Sequence, residues 1–548
     1  MKVGRRRTAP GSNAWGWVGV LALVLVVAWI VSQVRWRPDV WRVPSLSLRP
    51  APAGELPTLT VDMRFANYND LLSERERALQ SGVYIPSAQD FVTATLRMDE
   101  ALVPVRMRLL PGLAERLGED DKWGFDVRTR GGAQLLGMQR FYLVDPAANN
   151  WLNEWAFVRS LEREDVLATR YQFVRLVFNG DDRGTYALQE GFGSELLKAR
   201  GRQAGVIVEF DTDLLWKSIA HFQGDARAAY ADPISKLSAA DFQYFEVDTF
   251  RDATIADSPE LSSQKDQAIG LLRALQAGEL KASEAFDVER YGRFLALVDL
   301  WGASQAVSLV NLRYYFDPLT ARLEPVAFNA NPLSKGRLSL AAAFGDPAIQ
   351  AAYARELARV SQAGYLDQLQ VELEPELEQW RQRLNTGGLD QELAPPWDAL
   401  RARQEQIRRS LEPVQPVFAY LGSPAQAMSG TLRVEVGNIL NLPVEILGFD
   451  IGGATFVPAE RGWLAGGAAC LLSQDDGTAL VLRALDTARA PVICYTRFDI
   501  PLATIQGLDS ELDGMHELEL RLAARILGLS TTHMVPARQG YPDVLRPE

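Results

Sequence analysis

Few side chains in this 548-residue sequence stand at spacings that make chemistry on their own. The string contains no P-loop, no GxSxG elbow and no HExxH helix. Its three histidines, His221, His516 and His533, are too scattered for a histidine-built metal site. Glu190-Gly191-Phe192-Gly193 is too short a glycine pattern to cradle phosphate and reads as a turn. Cys470 and Cys494 match no CxxC or metal spacing. They are either two small buried residues or one disulfide formed in an oxidising compartment.

The order of several short segments says more than any one of them. Lys122-Trp123-Gly124-Phe125-Asp126-Val127-Arg128 is followed by Gly137-Met138-Gln139-Arg140-Phe141-Tyr142-Leu143 and by Trp151-Leu152-Asn153-Glu154-Trp155. A hairpin over 179–190 and Ala204-Gly205-Val206-Ile207 come next. Asn311-Leu312-Arg313-Tyr314-Tyr315 then precedes Leu323-Glu324-Pro325-Val326-Ala327-Phe328-Asn329-Ala330-Asn331. Over roughly residues 58–420 this series resembles the spore coat protein H (CotH) kinase family. The resemblance implies an atypical protein-kinase-like, two-lobed fold: a β-rich lobe covering a nucleotide, then a helical lobe carrying metal and catalytic groups. Active relatives transfer phosphate from ATP to protein side chains with a divalent metal such as Mg²⁺.

Phosphoryl transfer is mostly positioning and charge neutralisation, so it needs cations at the phosphates and carboxylates on the metal. By resemblance, Lys122 and Arg128 take the basic positions of a family strand and would meet nucleotide phosphates. Glu190 takes the acidic end of the hairpin, where it would pair with such a cation. Asn311 matches an asparagine just before an aromatic strand that would ligate metal. The plainer alternatives are edge-strand surface charge, an ordinary ion-paired glutamate and a strand-entry residue.

The departures weigh more. Where relatives carry a metal signature with two aspartates, this chain has the amides Asn329 and Asn331. An amide oxygen still coordinates a hard cation, yet two formal charges are missing beside the metal. Residues 304–308, Ser-Gln-Ala-Val-Ser, supply no base near neutral pH. Asp299 and Asp317 are the carboxylates remaining nearby. The leading expectation is therefore a catalytically impaired or inactive kinase-fold protein that binds or assembles partners in the cell envelope. The alternatives are an active ATP-dependent kinase acting on extracytoplasmic protein, and a structural envelope protein recognising partners through its C-terminal domain.

These residues need elements to hold them. Residues 14–34, AWGWVGVLALVLVVAWIVSQV, are uncharged and would span about 32 Å as a helix, enough for a bilayer core. Tryptophans at both ends suit an interfacial belt, and Arg35-Trp36-Arg37-Pro38 is a poor signal-cleavage site. The basic tail 1–13 favours a cytoplasmic N-terminus, with the bulk of the chain extracytoplasmic or periplasmic. A proline-rich linker, 35–57, follows. Residues 1–49 carry eight basic and one acidic side chain, so the rest bears −19 of a −12 total, which disfavours nucleic acid as a partner. Strand patterns dominate to about 215, and 58–250 is expected as the β-rich lobe. Helical spacing prevails over 251–425, interrupted by two short strands at 310–316 and 323–328. Short apolar runs over 430–548 predict a small all-β, sandwich-like domain, making the whole chain α+β.

Overall fold

The computed structural model describes residues 54–117, 122–221, 239–250, 252–334, 338, 343–387, 393–422, 430–451, 453–472, 480–485, 492–504 and 519–539. The expected basic tail 1–13, membrane segment 14–34 and all but the end of the linker lie outside these residues. Among the described residues no helix is long and apolar enough to cross a membrane.

Seven strands close a barrel in the order Thr58–Asp62, Val92–Met98, Ala101–Leu109, Phe125–Thr129, Arg140–Val144, Asp181–Glu190 and Tyr171–Phe178. Alternation builds it. Val103, Val105, Met107 and Leu109 are buried while Arg106 is exposed and Arg108 half-buried. Leu59, Val61, Leu96, Val127, Phe141, Leu143 and Leu176 complete the buried set, so the interior is packed with side chains, as small barrels are. The strands Tyr171–Phe178 and Asp181–Glu190 turn through Asn179 (φ 49°) and Gly180 (φ 92°), a two-residue hairpin needing positive φ at both positions.

The kinase-like two-lobed fold is not what forms. The class is α+β, but the β-rich part is a closed barrel and not a kinase-like lobe. The closing seam is a parallel pairing of Thr58–Asp62 with Tyr171–Phe178, Leu59 lying opposite Leu176. Hairpin signals are local, whereas a seam between strands more than a hundred residues apart has no signature in either strand alone. The helices Phe65–Ser81, Leu152–Arg163 and Ser194–Ala199 also interrupt the region where strand patterns dominate.

A second sheet runs Val247–Thr249, Ile207–Phe210, Arg313–Asp317, Arg322–Ala327 and Leu167–Ala168. It shares one apolar core with the helices Pro259–Gln276, Val288–Trp301, Pro347–Val360, Ala363–Thr386 and Trp397–Leu411. Gly292 lets two of these helices touch, since a Cβ there would stand 2.6 Å from the Cβ of Ala352.

Beyond 417 two further sheets face each other across a core that includes Val434, Val436, Phe449, Phe498 and Leu522. Leu442 and Ile526 reach from this region into the helical core. Gly528 sits so near Ala351 that a Cβ would meet its carbonyl oxygen at 2.4 Å. Cys470 and Cys494 are joined in a disulfide across 24 residues of sequence. By loop-closure entropy, reducing it should lower the stability of this region by about 3 kcal/mol. Urea unfolding with and without dithiothreitol, monitored by its hydrogen-exchange-protected amides, measures that loss.

Candidate functional site

The helix Val288–Trp301 stops at Gly302, whose φ of 58° ends it in the left-handed region. Two short 3₁₀ turns, Ser304–Val307 and Leu309–Asn311, lead into the strand Arg313–Asp317. They bury Asn311 against the end of Arg322–Ala327. Its Nδ2 donates to the carbonyls of Gln305 (2.9 Å) and Asn329 (3.3 Å), and its Oδ1 accepts from Asn329 Nδ2 at 3.4 Å. The two amides thus satisfy each other and the backbone.

Asn329 and Asn331 hold φ of 51° and 46°, a region asparagine tolerates better than most residues. The chain is thereby turned so that successive amides converge. The N–H groups of Ala330 and Asn331 donate to the two carboxylate oxygens of Glu154 at 3.0 and 2.9 Å. Consecutive N–H groups aimed at one point form an anion-binding nest, and here the protein fills it with its own side chain. Glu154 stands in the first turn of Leu152–Arg163 and is 1% exposed. Burial raises its carboxyl, the two backbone hydrogen bonds offset this only in part, and the group is pushed up to about 7.

A carboxyl raised on folding adds stability that is complete below its unfolded value, near 4.5, and is lost as pH climbs through about 7. Stability is therefore expected to decline from about pH 5 to above 7, and Glu154→Gln to remove that part of the slope. Urea midpoints at half-unit pH intervals check this.

The metal positions implied by resemblance do not fit a divalent cation. Asn311 and Asn329 offer amides already hydrogen-bonded to one another, and the turn at 329–331 aims donors at an anion. Among the described residues no three His, Cys, Asp or Glu side chains are grouped to hold a metal. Asp299 accepts from Tyr353 Oη at 2.9 Å and lies 3.6 Å from Arg403. Asp317 caps its own turn through Leu319 N and Thr320 Oγ1.

The three nucleotide positions have separate partners. Lys122 Nζ lies 3.8 Å from Asp145 and 5.9 Å from the Trp151 ring centroid. Glu190, 1% exposed, pairs with Arg170, whose Nε donates to Oε2 at 2.8 Å. The same guanidinium donates to the carbonyls of Leu136 and Gly137. Arg128 belongs to a third cluster, on the outer face of the barrel.

There, register aligns Arg106 with Arg128 and Arg128 with Arg140 on three neighbouring strands. One step along, Arg108 faces Asp126, which faces Tyr142. Asp126 is 1% exposed and takes Nη2 of Arg108 at 3.2 Å, of Arg128 at 3.3 Å and of Arg140 at 3.2 Å. The guanidinium carbons of Arg108 and Arg128 each lie 4.4 Å from the Phe91 ring, and those of Arg140 and Arg313 lie 5.7 and 5.5 Å from Phe250. Burial raises the Asp126 carboxyl, but Arg140, Arg128 and Arg108 outweigh it and hold the group below the ordinary carboxylate range. Burial and the like charge of Arg140 bring Arg128 down in spite of Asp126.

No family profile matches this chain, and no curated protein is similar to it. Sequence reasoning gave no role to Asp126, Arg140 or Glu154, although all three stand inside the segments quoted for the resemblance. The alternation that puts Arg106 and Arg108 outward was the available signal for the first two. For Glu154 the signal was weaker: an acidic residue between the apolar Leu152 and Trp155, without a cation spaced to meet it.

Proposed function

We propose that this protein is a membrane-anchored binding or assembly protein of the cell envelope that does not transfer phosphate. The observation carrying this reading is that Asn311 and Asn329 spend their amides on each other, while the N–H groups of Ala330 and Asn331 are committed to Glu154. A cation entering there would meet amide donors, and the one carboxylate at the turn, Glu154, is already spent on two backbone N–H groups, short of the negative ligands that Mg²⁺·ATP requires. The uncharged stretch 14–34 and its basic flank support anchoring with the body exported. The Cys470–Cys494 disulfide supports an oxidising compartment. The order of the short motifs alone supports descent from the CotH kinase family.

Titrating Mn²⁺ into the full-length protein and following its unfolding midpoint tests the reading. No saturable rise is expected, for the wild type or for Asn311→Ala. A saturable rise in the wild type that Asn311→Ala abolishes would contradict it.

A further inference from the structure

We infer that the outer barrel face around Arg106, Arg128 and Arg140 binds a phosphate-type oxyanion. This does not depend on whether the protein transfers phosphate. Like charges directly opposite each other on adjacent strands are destabilising, yet register places three guanidinium-bearing residues in one row across Ala101–Leu109, Phe125–Thr129 and Arg140–Val144. Arg108 makes a fourth basic group, one step away. Asp126 sits among them, its two oxygens shared by three arginines, and Glu209, a further carboxylate acting on Arg140, is paired with Arg313 at 2.8 Å. Asp90, the other carboxylate influenced by Arg108, is engaged by Ser87 and Tyr84.

The cluster thus keeps positive charge in excess. Among the described residues no carboxylate pairs with Arg106, which is exposed, and the side chain of Arg128 is 36% accessible. Arg108 is engaged through Nη1 to the Ser87 carbonyl and Nη2 to Asp126, and the Nε atoms of Arg108 and Arg128 are enclosed, so the outward-facing donors are those of Arg106 and the accessible part of Arg128. Phe91 lies against the guanidinium groups of Arg108 and Arg128 and helps fix their planes. Preset planar donors match the oxygens of a phosphate group, which arginine binds through paired hydrogen bonds. On a chain carrying −19 beyond residue 49 the row is a local exception. That balance suits a small anion or a single headgroup over an extended polyanion.

The phosphate could be free or belong to a lipid headgroup, and two probes separate these sources. Inorganic phosphate and glycerophosphoglycerol are titrated separately into the full-length protein at fixed ionic strength, and the unfolding midpoint is followed. At least one is expected to give a saturable rise, inorganic phosphate pointing to a free anion and the diester to a headgroup. Arg128→Gln should weaken the effect by about tenfold, the loss of a charge-assisted hydrogen-bonding group. Arg106→Gln, at an exposed position, should weaken it several-fold and serves if the first variant does not fold. Arg77→Gln, on the helix Phe65–Ser81, should leave it unchanged. The inference is overturned if neither probe gives a saturable rise, or if both Arg106→Gln and Arg128→Gln respond like the wild type.

Discussion

Asp126→Leu should lose about 3–5 kcal/mol of folding stability, the usual result of stripping a buried charge cluster of its counter-charge. Asp126 is 1% exposed and is the shared acceptor of Arg108, Arg128 and Arg140. Removing it leaves three guanidinium groups facing one another on neighbouring strands with no carboxylate between them. Arg140, itself only 17% exposed, cannot turn to water without leaving the barrel wall. Adding Arg128→Met to Asp126→Leu should recover part of the loss, because one repelling charge goes with it. Guanidinium unfolding of the single and double variants gives that interaction directly. The wild-type contribution should persist in acid: Asp126 is depressed on folding, so its stabilisation is present above the unfolded value of about 3.8 and disappears only as pH falls through its lower folded value.

Arg170→Ala is expected to be comparably severe, about 3–5 kcal/mol. Glu190 is as buried as Asp126, and the Arg170 guanidinium is its ion-pair partner. The variant would strand that carboxylate at the end of the barrel strand Asp181–Glu190. It would also deprive the carbonyls of Leu136 and Gly137 of their donor. Hydrogen exchange at Phe173 and Leu188, whose strands pair along this hairpin, should report the opening even where global unfolding is not two-state. Arg170→Lys should recover little, because a single ammonium cannot reproduce the forked contact.

These two expectations also separate what was legible in the sequence from what was not. Period-two alternation in Ala101–Leu109 was plain, and so was the Asn179-Gly180 turn, because both are written within a few residues. Closure of the barrel was not, since it depends on Leu59 meeting Leu176 from the far side of five other strands. The kinase-like lobe implied by the order of the short motifs was wrong for the same reason, since motif order carries no information about how the sheet closes. Lys122, Arg128 and Glu190 could be marked as charged groups near strands, but their partners Asp145, Asp126 and Arg170 are set by register and packing. Asn311 and Asn329 come together from two strand ends eighteen residues apart, and Glu154 joins them from a helix a further 176 residues away from Ala330. No spacing rule connects a helical glutamate to such a turn. The left-handed backbone of Asn329 and Asn331 turned what resembled a cation site into a nest for an internal anion.

The turn at 329–331 receives the Glu154 carboxyl on two consecutive N–H groups, and on our proposal it takes no metal-bound nucleotide. Incubating the full-length protein with γ-labelled ATP, Mg²⁺ and a generic protein acceptor tests it most directly. The expected result is no label on the acceptor or on the protein itself above that of a heat-denatured control. Robust labelling that disappears in Asn311→Ala would show that phosphate is transferred at this turn after all.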